Sequence, residues 1–148
     1  MDIQAALKGT SLLSDLPPDI YPALAKIARR VHCEEGDVLY NIGDPARDVF
    51  VMVSGRVRFT IGVGNRPESG ASIFSAGDTI GWAALLEDQP RRVATAVCLE
   101  DSDLLALDGA QLLATFDSRP DAGYPVMRRL AKWIARDFLN QSTMLNLA

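Results

Sequence analysis

Short apolar runs cut by glycine turns constrain this chain more than any other feature. Val38 to Tyr40, Val49 to Val53, Val57 to Ile61, Ser72 to Phe74, Ala94 to Cys98 and Leu104 to Leu107 are each three to five residues long. Gly-Asp stands between or beside them three times, at Gly36, Gly43 and Gly77. Glycine reaches positive φ without strain, and aspartate hydrogen-bonds its own backbone in a turn. Many brief runs with regular turn signals predict a sandwich or barrel. Closing such a sheet on itself removes its exposed edges. The fold class expected from residues 31–107 is therefore mainly β, with helices on either flank. Gly62 to Gly70 reads as a polar hairpin loop, because no Gly-Lys-Ser/Thr accompanies it to make a phosphate loop.

The flanks carry the helical period. From Ser11 to about Arg30, Pro17-Pro18-Asp19 signals a helix start, and Pro22 still falls in the first turn. Leu16, Ile20, Leu24, Ile27 and Val31 recur at three- and four-residue spacing on one face. Asp108 is a candidate N-cap for a short helix to Phe116. Pro120 and Pro125 interrupt or open the next segment, and Val126 to about Met144 reads as one long amphipathic helix. Leu130, Ile134, Phe138 and Leu145 form its stripe, widened by Met127, Trp133 and Met144. That stripe is broader than packing on one small barrel requires. Arg128, Arg129, Lys132 and Arg136 read as a solvated face rather than a DNA contact.

Composition narrows the function classes. The 148 residues are 48% apolar and 23% charged, which suits one folded domain, 1–148, rather than a disordered chain. The net charge of −4 argues against a broad nucleic-acid or anionic-membrane surface. No run of 18 apolar residues predicts a membrane span, and Met1-Asp2-Ile3-Gln4 opens without a basic leader. Two cysteines, Cys33 and Cys98, make no disulfide framework and read as small strand residues. A cytoplasmic setting is expected.

Catalysis finds little support. His32 is the only histidine, so neither a multi-histidine metal site nor a separate Ser-His-Asp relay can be assembled around another. Glu87-Asp88 are consecutive and read as a solvated turn. No metal and no catalytic residue are expected.

Residues 80–95 are the candidate ligand site. Gly81 precedes a short apolar turn of helix, Trp82-Ala83-Ala84-Leu85, and Pro90-Arg91-Arg92-Val93-Ala94-Thr95 follows. A helix opening offers unpaired amide N–H groups, and arginine offers a planar fork of donors. Together they suit one phosphate. This stretch resembles the phosphate-binding cassette of cyclic nucleotide-binding domains, which reads roughly Phe-Gly-Glu-Leu-Ala-Leu, a variable loop, then Pro-Arg-x-Ala-Thr. Glu35 to Tyr40 with Gly43-Asp44-Pro45-Ala46, Val49 to Val57 through Ser54-Gly55, and Ala76-Gly77-Asp78 resemble the family's other turns in the expected order.

The resemblance implies a jelly-roll barrel and no enzyme activity. It implies a regulatory ligand, cyclic AMP, cyclic GMP or another small phosphate-bearing molecule. The ligand-contacting set it implies is Gly81, Trp82, Ala83, Ala84, Arg91, Arg92, Ala94 and Thr95. Pro90 favours Arg91 as the phosphate ligand and the Arg-x-Ala-Thr spacing favours Arg92, with Arg92 preferred. Trp82 stands where the family carries a glutamate that accepts from the ribose 2′-OH, and indole donates but cannot accept. The resemblance also implies a homodimer through the long helix. No helix-turn-helix follows that helix in these 148 residues, so the output is expected to pass to a separate effector. The alternative is a ligand-free scaffold, with Trp82 filling the pocket and the arginines paired internally to residues such as Glu87 or Asp88.

Overall fold

The computed structural model describes residues 2–60, 72–86 and 88–147, with backbone only for 140–147. Helices α1 (Ile3–Lys8) and α2 (Ile20–Ile27) lead into β1 (Ala28–Cys33), β2 (Val38–Tyr40), β3 (Asp48–Ser54), β4 (Arg56–Thr60), β5 (Ser72–Ser75) and β6 (Thr79–Ile80). A 3-10 turn at Trp82–Leu85 precedes β7 (Thr95–Cys98) and β8 (Ser102–Asp108), and the helices α3 (Gly109–Ser118) and α4 (Pro120–Leu147) follow. The strands form two antiparallel four-stranded sheets, ordered β1-β8-β3-β6 and β2-β7-β4-β5. They face each other as a jelly-roll barrel.

The three Gly-Asp turns are built alike. Each glycine lies in the left-handed region, at φ between +87° and +93°. Each aspartate carboxylate accepts the amide N–H three residues before it: Asp37 from Glu34, Asp44 from Asn41 and Asp78 from Ser75, at 2.8–2.9 Å. Each aspartate N–H returns the bond to the same residue's carbonyl. The dipeptide thus reverses the chain within four residues and leaves few turn groups unpaired.

Two cores share one sheet. On β3, Phe50 and Met52 point into the barrel with Tyr40, Val57 and Ile80, while Val49 and Val51 point outward to the helices. On β8, Leu104 and Ala106 face in, while Leu105 and Leu107 meet Leu24, Leu112, Val126 and Leu130. A sheet covered on both faces reads as an unbroken apolar run rather than an alternation. This accounts for the composition of Val49 to Met52 and Leu104 to Leu107.

Several expectations need correction at their edges. Helix α1 lies before the predicted helical lead-in; six residues capped by Asp2, with only Leu7 buried, are too few to show a period. Strand β1 begins at Ala28 rather than Val31, so Arg29 and Arg30 belong to a strand, exposed and in register with Ala106 and Leu105. Val31 therefore lies on that strand and not on the helix face with Ile20 and Leu24. Pro120 opens α4 and Pro125 lies inside it without stopping it. So close to the helix start, the missing N–H of Pro125 leaves only the Asp121 carbonyl without its intrahelical donor. Ile61 and the loop Gly62 to Gly70 lie outside the described residues.

Candidate functional site

The cassette begins at a backbone position that demands glycine. Gly81 has φ +78°, and a Cβ there would lie 2.7 Å from Arg92 Nη1 and 3.1 Å from the Asp48 carbonyl. After it, the 3-10 turn uses the Ala84 N–H on the Gly81 carbonyl at 3.2 Å. The Ala84 N–H is therefore spent inside the turn. Among the described residues, the N–H groups of Trp82 and Ala83 have no main-chain acceptor outside the turn. The methyl groups of Ala83 and Ala84 are buried in the helix-side core. Ala84 abuts Gly109 so closely that a Cβ on Gly109 would lie 2.6 Å from the Ala84 carbonyl.

The two arginines separate completely. Arg91 is exposed, and its backbone bridges Pro45. Arg92 is only 5% exposed. Its Nη1 donates to the Gly81 carbonyl at 3.1 Å and its Nη2 to the Asp48 carbonyl at 2.7 Å. Its guanidinium carbon lies 4.1 Å from the centre of the Tyr40 ring and 5.7 Å from that of Phe50. Cation–π contact of this kind strengthens when the cation is desolvated. Burial draws the Arg92 pKa down, opposed by the nearby Tyr40, Asp48 and Asp44, while burial pushes the Tyr40 phenol up. Arg92 Nε is buried with no hydrogen-bond partner among the described residues. A buried charged donor without a partner is costly. Among the described residues the Arg92 side chain bonds the carbonyls of Gly81 and Asp48; Asp88 is exposed and Glu87 lies outside the described residues.

Thr95 is turned to another task. Its Oγ1 accepts the Ile42 N–H at 2.9 Å, which ties β7 to the turn after β2. Ala94 is buried beside it. Gly81, Trp82, Ala83 and Arg92 therefore come together, while Arg91 and the Thr95 hydroxyl do not join them. Asp48, Tyr40 and Phe50 complete the arginine's surroundings. Nothing in the sequence flags them, because Asp48 acts through its carbonyl and the two rings read as ordinary barrel residues.

The open space lies beside this cluster. A cleft of about 400 Å³ runs between the barrel and α4, lined by Phe59, Phe74, Ile80, Trp82, Trp133 and Arg136 among others. Phe59 and Phe74 touch at 4.6 Å between ring centres. Arg92 is not among the walls of this cleft. The cleft is thus aromatic, flanked by α4 and bounded at the cassette by Trp82.

Other reactive residues do not assemble into a second chemistry. His32 Nδ1 pairs with Asp103 Oδ1 at 2.8 Å, and Ser54 Oγ donates to Asp103 Oδ2 at 3.3 Å. Serine and histidine both address the carboxylate rather than each other, which is not a nucleophile–base pair. Cys33 and Cys98 are free and buried, and burial pushes the Cys98 thiol up to about 12. Among the described residues no group of three or more His, Cys, Asp or Glu side chains could hold a metal ion. No helix among them is long and apolar enough to cross a membrane.

Comparison with known proteins agrees with this geometry. Residues 30–119 match the family described as "Cyclic nucleotide-binding domain". The chain belongs to the cyclic nucleotide-binding domain family. It is 30% identical over 128 residues to the "Cyclic AMP receptor protein" of Thermus thermophilus, covering 85% of this chain and 58% of that protein. The Thermus thermophilus catabolite activator protein structure aligns at a TM-score of 0.75 with 24% identity, over 90% of this chain and 62% of that one. The regulatory domain of Toxoplasma gondii PKA, solved with cAMP, aligns at 0.74 with 18% identity, over 90% of this chain and 49% of that one. The chain spans just under 60% of the length of the Thermus relative. As a cyclic nucleotide-binding domain it is a member of a regulatory family, and its jelly roll is that of its structural neighbours. Trp82 is half-buried and lines the aromatic cleft.

Proposed function

We propose that this domain is a cytoplasmic ligand sensor that takes a cyclic nucleotide, or another small phosphate-bearing molecule, at the cassette and signals through α4. The carrying observation is Arg92: a buried guanidinium bonded to the Gly81 carbonyl that opens the cassette turn, with Nε unpartnered among the described residues. A phosphate arriving there exchanges the neutral carbonyls of Gly81 and Asp48 for charged oxygens, and charge-assisted bonds are the stronger kind. The ring of the ligand would lie in the cleft against Trp82 and under α4. Trp82 disfavours a ribose diol that needs an acceptor and favours a flat face to stack on. The effect at α4 follows from packing. Ala84 presses on Gly109 at the start of α3, and α3 packs against α4, so a displaced cassette displaces both helices. Only a ligand with different affinity for the two helix positions produces a signal. The readout would pass through a homodimer along α4, where Tyr124 and Phe138 are exposed, and on to a separate effector protein.

A second reading has its own support. Both terminal nitrogens of Arg92 are already satisfied by main-chain carbonyls, and Trp82 lines the neighbouring cleft. This arrangement also suits a ligand-free scaffold. Thermal melts in millimolar cyclic AMP, cyclic GMP and inorganic phosphate separate the two. A ligand at a hundred times its Kd stabilises by ~2.7 kcal/mol. The sensor reading expects a clear rise in Tm with at least one of them, lost in Arg92→Ala. No rise with any would leave the scaffold.

A further inference from the structure

A second recess, of about 460 Å³, lies where the end of α2, β1, the start of β3 and the first turn of α3 meet. Lys26, Arg29 and Arg47 line it with Asp48, Asp108 and Gln111, and Ile27 gives it one apolar wall. Both carboxylates are committed. Asp48 holds Arg29 at 2.8 Å, and Asp108 accepts the Gln111 N–H at 3.0 Å. The side chains of Lys26 and Arg47 are exposed and have no ion-pair or hydrogen-bond partner among the described residues. Lys26, Arg29 and Arg47 outnumber Asp48 and Asp108 by one, so the recess is net positive in a chain whose net charge is −4. The helix terminus is not the attraction, because Asp108 already caps it.

From this arrangement we infer a second binding site, for a small organic dianion of the phosphate-monoester or diphosphate kind. The net positive lining favours an anion, Lys26 and Arg47 can each donate to its oxygens, and the planar guanidinium fork of Arg47 suits a phosphate. The volume falls within the range of small-molecule sites and exceeds that of an inorganic anion alone, so the ligand carries an organic body against Ile27 and the Gln111 amide. The site is distinct from the cassette, since Arg92 is not among its walls. Yet the two meet at one residue. Asp48 holds Arg29 with its carboxylate and accepts Arg92 Nη2 at its main-chain carbonyl, 2.7 Å away. An anion that draws Arg29 from Asp48 acts on the residue that holds the cassette arginine, so occupancy of one site is linked to the other.

The test is a titration of ¹⁵N-labelled protein with inorganic pyrophosphate as the probe, following the amides of Ile27, Asp48 and Gln111. Saturable shifts at these amides are expected, with binding weakened roughly tenfold or more when two charge-assisted contacts are removed in the double variant Lys26→Gln/Arg47→Gln. Shifts confined to residues 81–84 and 92, or an unchanged Kd in the double variant, would overturn the proposal. The cassette amides are read separately in the same spectra. Failure of the sensor reading there leaves the recess result standing.

Discussion

Trp82 is the residue on which ligand choice turns. It lines the aromatic cleft, and by the cassette resemblance it stands where the family carries a carboxylate. A hydrogen bond to a charged acceptor contributes ~1.5–3 kcal/mol. Trp82→Glu is therefore expected to tighten cyclic AMP binding about ten- to a hundredfold in a calorimetric titration. Unchanged or weaker binding would show that the indole is itself the ligand's partner. His32 carries a second residue-scale expectation. Its hydrogen bond to Asp103 raises its pKa above the ordinary 6.5. A raised histidine contributes stability in full below 6.5 and loses it as pH climbs through the folded value. Asp103, held below its ordinary 3.8 by His32, loses its contribution only as pH falls through that lowered value. The Tm difference between wild type and His32→Gln should thus be largest near pH 5 to 6 and fade above neutrality. A difference that grows with pH would contradict the pairing. At this scale the sequence was uneven. Arg-x-Ala-Thr spacing pointed at Arg92, the arginine that lies inside the barrel. That Thr95 would bond Ile42, or that Arg92 would rest on the Asp48 carbonyl, depends on contacts 53 and 44 residues apart. No local pattern encodes them.

Among the elements, β strands bounded by Gly-Asp were legible because each turn is satisfied by its own four residues. Strand β1 was not, since Arg29 and Arg30 hide its start and only pairing with β8 makes it a strand. Strand β6, two residues long, leaves no pattern at all. Helix α4 was legible through its stripe but misjudged at its start, where Pro125 read as a break. Its inner face, with Ala122, Val126 and Leu130, is buried against the molecule's own core. Phe138 is 66% exposed one turn beyond Ile134, where the helix has run past that core. An aromatic ring left so open on an amphipathic helix is the natural seam for a second copy. Phe138→Lys is expected to convert a dimer to a monomer in light scattering coupled to size exclusion. A wild-type monomer, or a variant that stays dimeric, would place the seam elsewhere.

For the whole molecule, the helices and the cassette form one packed unit on the outer face of the β1-β8-β3-β6 sheet. Arg129 of α4 donates to the carbonyls of Leu12 and Ser14 at 2.9 and 2.6 Å, tying the N-terminal segment to the C-terminal helix. Arg119 bridges Asp19 and Asp121 across the same seam. Thr10 Oγ1 meets Thr79 just ahead of the cassette. Ala84 thus abuts Gly109 of α3, while residues 10–14 touch Thr79 at one end and Arg129 of α4 at the other. The overall fold could be read from the chain because it rests on short local motifs. The aromatic cleft could not, because Phe59, Phe74, Trp82 and Trp133 come from four separate elements. The most direct measurement is a titration of ¹⁵N-labelled protein with cyclic AMP. The account expects saturable shifts at the amides of Trp82 and Ala83 and at the Arg92 side-chain Nε–H, accompanied by shifts along α4. Spectra in which those signals stay fixed at millimolar ligand would contradict it.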